Sequence, residues 1–151
     1  MFLLKNATLL DCTGNEPVEA AWVAVENGII KEVGNGKAPV ISSIETIDCK
    51  GKTLMPGLIE AHMHICFFDD DMTAHHRKYL PTMATLRAAD LLKDTLYQGF
   101  TTARDCGGAD AGYRDAQKTG LVIGPRLQVA GRSISMTGGH TDTRLATEVS
   151  N

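Results

Sequence analysis

The sequence predicts an α/β protein built in two parts, and three observations carry that prediction. Alternating apolar residues with turn signals fill residues 1–55, where no helix of useful length fits. Beyond Pro56, short apolar runs alternate with helical segments, the pattern of βαβ units around a parallel sheet. Between the two stands "LMPGLIEAHMHI" (residues 54–65), an apolar run that ends on two histidines spaced by one residue.

In the first part, "FLLKNATLL" reads as a strand followed by the polar loop "CTGNEPVEA". "AWVAVENGIIKEVG" reads as a hairpin, because Asn27-Gly28 separates two alternating apolar runs and both residues tolerate positive φ. "IETIDCKGKTLMPG" adds one short strand, a Lys-Gly-Lys turn and then Pro56. The expectation is a small β unit over residues 1–55 with antiparallel strands only.

The second part opens with the short strand "GLIEAHMHI" and the polar loop "CFFDDDMTAHHRKYL". Pro81 suits the first turn of a helix, and "TMATLRAADLLKDTLYQ" follows it. Ala89, Leu92 and Leu96 recur at i, i+3 and i+7, the spacing of one buried helical face, and Gly99 stands at the favoured C′ position. "FTTARDC" is the next strand, running into Gly107-Gly108. A short helix, "ADAGYRDAQKTG", ends at Gly120. Pro125 introduces a third strand, "RLQVAGRSI", leading to "SMTGGHTDTR". Three parallel strands leave open edges, and a closed barrel of eight such units takes about 250 residues. Residues 56–151 are therefore expected to be the first third of a (β/α)8 TIM-like barrel, incomplete in this chain.

Composition narrows the function classes. With 43% hydrophobic and 22% charged residues, the chain is expected to be globular and soluble, not disordered. A formal net charge of −3 and the lack of a basic run argue against a nucleic-acid partner. "MFLLKNATLLDC" lacks a basic leader region, and no apolar stretch approaches the ~20 residues that span a bilayer, so no membrane partner is expected. Cys12, Cys49, Cys66 and Cys106 are scattered without a C-x-x-C pair, which is read as reduced thiols in a cytoplasmic protein.

His62 and His64 share one face of their strand while Met63 points the other way. Two imidazoles at a strand end can converge on one cation, yet a cation needs about four ligands. The competing reading is a pair of packed core histidines, which gives no reason for the Pro-Gly-x-x-Glu-x lead before them. Arg104 and Asp105, at the end of the second parallel strand, read either as functional or as a structural ion pair. Asp69, Asp70, Asp71, His75 and His76 read as a solvated loop, and Cys66 and Cys106 as passive packing residues.

Pro56-Gly57-Leu58-Ile59-Glu60-Ala61-His62-Met63-His64, preceded by a small β unit, resembles the opening of the amidohydrolase superfamily. "GFTTARDCGG" (residues 99–108) and "SMTGGH" (residues 135–140) are similar to its imidazolonepropionase-like branch, which includes Xaa-Pro dipeptidases of the prolidase type. The resemblance implies that His62 and His64 bind one of one or two divalent cations, zinc foremost. It places the remaining ligands, and the catalytic residues, beyond Asn151. It implies that residues 1–55 are the N-terminal part of a composite β-sandwich domain, completed by strands from later in the chain. His140 is implied to contact substrate, with Gly138 and Gly139 letting backbone approach the ligand; a plain loop histidine is the alternative.

The implied activity is hydrolysis of C–N bonds by metal-activated hydroxide in the full-length protein, with an Xaa-Pro dipeptide as substrate and residues 1–151 alone inactive. Two alternatives stay open: a cyclic amidohydrolase or deaminase of imidazolonepropionase type, and a non-catalytic fragment or assembly subunit. The open sheet edges lead to the expectation of association, either with the remainder of the barrel or a partner chain, or as a homo-oligomer.

Overall fold

The computed structural model describes residues 1–70, 78–139, 141 and 142. The chain divides into two compact units, Met1–Pro56 and Gly57–Asn151.

The first unit is one five-stranded sheet. Its strands are β1 (Phe2–Leu9), β2 (Val18–Glu26), β3 (Ile29–Asn35), β4 (Glu45–Asp48) and β5 (Thr53–Leu54). The order is β3-β2-β1-β4, with β5 also pairing with β1. The β2–β3 hairpin turns on Asn27 and Gly28, whose φ of 52° and 75° are those of a tight hairpin turn. Antiparallel pairing throughout is not what forms, because β4 and β5 both run parallel to β1. The segment read as one strand becomes two. The Lys50-Gly51 turn, with φ of 51° and 75°, interrupts it opposite Asn6. There Cys49 and Gly51 donate their N–H groups to the carbonyls of Lys5 and Asn6. Side-chain alternation marks which residues are extended but carries no information on the direction of the partner strand.

Leu3, Trp22 and Ala24 form this unit's core, with Ala38 and Ile44 packed against it. The Trp22 indole stands against Gly34, its partner on the neighbouring strand. A Cβ built at Gly34 would stand 2.4 Å from Trp22 Cζ2.

The second unit carries a parallel sheet of β6 (Leu58–Met63), β7 (Phe100–Asp105) and β8 (Arg126–Val129), in the order β6-β7-β8. Between the strands, the described residues include the helices α1 (Pro81–Tyr97) and α2 (Ala111–Lys118). Together these make the α/β architecture expected from the alternation. α1 begins with Pro81 in its first turn and closes at Gly99, whose φ is 98°. Its buried face is Ala88, Leu92 and Thr95, one residue away from the expected stripe at two of three positions. Ala89 and Leu96 are only half-buried. Thr95 can take a core position because its hydroxyl donates to the Leu91 carbonyl, 2.7 Å away, so no polar atom is stranded. Asp110 caps α2 by accepting from the Gly112 N–H at 2.8 Å. β8 is shorter than the extended run predicted, and Gly131, with φ of 77°, turns the chain soon after it.

The core of this unit joins Ile65, Cys66, Ala88, Leu92, Ala103, Ala109 and Leu127, with Met63 and Tyr113 packed against it. Both units also expose apolar side chains, among them Ile30 at 63% and Ile59 at 70%. No helix among the described residues is long and apolar enough to cross a membrane.

Three outcomes follow from this packing. Gly34→Ala should cost about 1–3 kcal/mol in denaturant unfolding, since the Trp22 ring must leave its place. Leu92→Ala, at a side chain with no exposed surface, should cost about 2–5 kcal/mol by the same measurement. Burial pushes the Tyr113 hydroxyl from 10.0 up to about 12. Between those pH values the unfolded chain has released this proton and the folded chain has not. Stability should therefore fall as pH rises through that window. Ultraviolet titration should show one tyrosine ionising late, and Tyr113→Phe should remove that step.

Candidate metal centre

At the C-terminal end of β6 the pleat sorts the side chains. Met63 packs against the core cluster, whereas His62 is exposed and His64 half-buried. The two imidazoles stand edge to face with centroids 5.4 Å apart. The His62 backbone is anchored by its own strand, its N–H donating to Glu60 Oε1 at 2.9 Å.

His64 is held more firmly. Its Nδ1 lies 2.9 Å from the carbonyl oxygen of Gly107. A carbonyl only accepts, so this contact places the proton on Nδ1 and leaves the Nε2 lone pair available. Phe67 supports the ring edge to face at 5.8 Å.

Gly107 is fixed in turn by Asp105, a side chain with no exposed surface. Asp105 Oδ1 accepts from the N–H groups of Gly107 at 2.9 Å and Ala109 at 3.2 Å. Oδ2 accepts from the Ile65 N–H at 2.8 Å. The Gly107–Gly108 peptide is also held from the other side, the Gly108 N–H donating to the Gly131 carbonyl at 3.0 Å. Carbonyl, carboxylate and ring thus tie together the loops after β6, β7 and β8. The glycines let the three loops approach. A Cβ at Gly107 would meet Ser133 Oγ at 2.6 Å, and one at Gly108 would meet Phe67 Cε2 at 3.0 Å.

Arg104 and Asp105 do not form the ion pair that was one reading of them. Asp105 is taken up by three backbone donors, and Arg104 Nε donates to the Ala61 carbonyl at 2.8 Å. Alternation along β7 sends the two side chains to opposite faces. Asp69 is not simply solvated, since it accepts from the Lys78 ammonium and from the Tyr79 hydroxyl. Asp70 is exposed. Cys66 is buried and burial pushes its thiol up; Cys106 Sγ only approaches the carbonyls of Ala61 and Arg104. His140, Asp71, His75 and His76 lie outside the described residues.

Among the described residues no group of three or more His, Cys, Asp or Glu side chains converges as a metal site. What converges is a pair of neighbouring imidazoles, one with its tautomer preset by a backbone carbonyl. That donor set fits part of a divalent-cation site, since neutral imidazole nitrogen is a ligand for zinc and its neighbours. Sequence reasoning singled out His62 and His64 but missed the hydrogen bonds of Asp105 and Gly107. The available signal was Asp-x-Gly-Gly at a strand end, where an Asp side chain turns back on the following backbone.

The chain is similar to the crystal structure of an amidohydrolase, with 39% identity and a TM-score of 0.89 over 99% of this chain and 36% of that one. It is similar to a prolidase crystallised with N-methylphosphonate-L-proline, with 32% identity and a TM-score of 0.90 over the same shares. The ochratoxinase of Aspergillus niger is 29% identical over 141 residues, 90% of this chain and 29% of that protein. The chain therefore spans about a third of the length of the proteins it matches. Residues 53–150, well over half of the chain, match the amidohydrolase family, and the chain belongs to that family.

Proposed function

We propose that the full-length protein is a metal-dependent amidohydrolase that hydrolyses C–N bonds, with dipeptides of the Xaa-Pro type as its substrates. The observation that carries the reading is the His62–His64 pair at the end of β6, with the Gly107 carbonyl on His64 Nδ1. In this reading the β6-β7-β8 sheet is the first third of a (β/α)8 barrel, and the strand ends carrying the histidines face its mouth. The sheet of residues 1–55 is one part of a β-sandwich domain that other segments complete. The exposed apolar side chains of both units support a larger assembly of that kind.

The divalent cation, zinc by the donor type, supplies when bound an activated hydroxide near neutral pH and polarises the scissile carbonyl. The chain's own residues hold and orient. His62 and His64 offer ring nitrogen from one strand face, and Gly107 keeps the His64 proton on Nδ1, away from the cation side. Glu60 steadies the backbone leading into His62. His140, following Gly138 and Gly139, is proposed to contact the substrate. The prolidase carrying a proline phosphonate, at 32% identity, supports the choice of proline-containing dipeptides.

His62→Ala and His64→Ala in the full-length protein should each lower cation affinity by well over ~100-fold and bring hydrolysis to background. Met63→Leu, a volume-conserving change on the core face, should keep the cation and activity at a cost below ~1.5 kcal/mol of stability. The measurements are elemental analysis and turnover of a panel containing Xaa-Pro dipeptides, other dipeptides, and cyclic amides or heterocyclic amines. Preference for the cyclic substrates would move the assignment to the imidazolonepropionase or deaminase type. A full cation complement in the double histidine variant would overturn it.

A further inference from the structure

From the hydrogen-bond geometry we infer that Asp105 is a positioning residue for the metal centre, acting on His64 by holding the backbone on both sides of the Gly107–Gly108 peptide; this rests on the metal reading above. The carboxylate is wholly buried and receives N–H groups from Ile65, Gly107 and Ala109. Those donors belong to two different loops. Ile65 directly follows His64, and Gly107 carries the carbonyl that accepts from His64 Nδ1 at 2.9 Å. One side chain therefore fixes both the backbone beside the ligand and the acceptor that selects its tautomer.

The Gly107–Gly108 peptide makes the link stiff. Its carbonyl accepts from His64 and its N–H donates to Gly131, so the unit is gripped at both ends of its dipole. Rotating that peptide would break both bonds at once. Hydrogen bonds in series polarise one another, which strengthens the Gly107 carbonyl as an acceptor and makes the imidazole a better donor to a cation. Asp105 touches neither substrate nor cation in this arrangement. Its effect is on where the Nε2 lone pair points.

The conservative test is Asp105→Asn in the full-length protein. The amide keeps the shape but replaces one oxygen by an NH2 group, which then faces at least one backbone N–H donor. Zinc affinity is read by competition with a chromophoric chelator, alongside Leu92→Ala as a control that loosens the same core away from this contact. Asp105→Asn should weaken zinc binding about 10–100-fold, the range seen when a partner of a metal-bound histidine is removed. Leu92→Ala should stay near the wild-type affinity. Wild-type affinity in Asp105→Asn, or equal weakening in Leu92→Ala, overturns the positioning role. If His64→Ala itself keeps wild-type affinity, the metal reading fails and takes this inference with it. Should Asp105→Asn fold poorly, nitrogen-15 NMR of the His64 ring in the wild-type protein decides. A ring protonated on Nδ1 supports the inference, and one protonated on Nε2 overturns it.

Discussion

The buried carboxylate of Asp105 is the constraint on which the ordered end of the parallel sheet depends. A carboxylate without solvent contact is costly unless its oxygens are hydrogen-bonded, and here three backbone N–H groups meet that requirement. Hydrogen bonds to a charged group contribute roughly 1.5–3 kcal/mol each, and losing the acceptor would strand all three buried donors. The loops after β6 and β7 leave the sheet just beyond the paired residues Met63 and Asp105. Asp105 gives both the same partner. His64 inherits its position from that shared attachment, because it precedes one donor and donates to the carbonyl of another.

Close approach is the second condition, and it falls on glycine at defined points. Gly107 and Gly108 bring the β7 loop against Ser133 and Phe67 at distances where a Cβ would collide. Gly124 does the same beneath α1, where a Cβ would stand 2.9 Å from Leu92 Cβ. Leu92 is thereby packed between its own helix, the Gly124 backbone and the strand residues Ala103 and Leu127. The small residues Ala88, Ala103 and Ala109 allow α1 and the chain after β7 to sit close to the sheet. This packing holds α1 and the chain after β7 against the sheet.

The sheet of the first unit follows a different logic. β1 is central, with β2 antiparallel on one edge and β4 and β5 parallel on the other. Asn6, with φ of 56°, lets β1 change its pairing from β4 to β5 across the Lys50-Gly51 turn, and Asn6 Nδ2 reaches Asp48 at 3.0 Å. The register shifts on β1 sit near the same residue. A single edge strand broken by a turn keeps its hydrogen bonds by moving along its neighbour.

Much of this protein was legible in the residues alone. Apolar alternation and an Asn-Gly turn determined the β2–β3 hairpin, Pro81 and Gly99 bounded α1, and His-x-His at a strand end marked two imidazoles that stand side by side. These signals are local, set by φ preferences and by which side chains share a face. The tertiary structure decided what depends on partners far away in the chain. The direction of β4 and β5 was hidden because alternation is the same for parallel and antiparallel pairing. The buried face of α1 shifted to Ala88 and Thr95 because a threonine can satisfy its hydroxyl within the helix. Asp105 could be read as an ion-pair partner of Arg104 because both are charged and adjacent. Only the fold shows that the carboxylate is claimed by backbone N–H groups, two of them just ahead in its own loop and one 40 residues before it, beside His64.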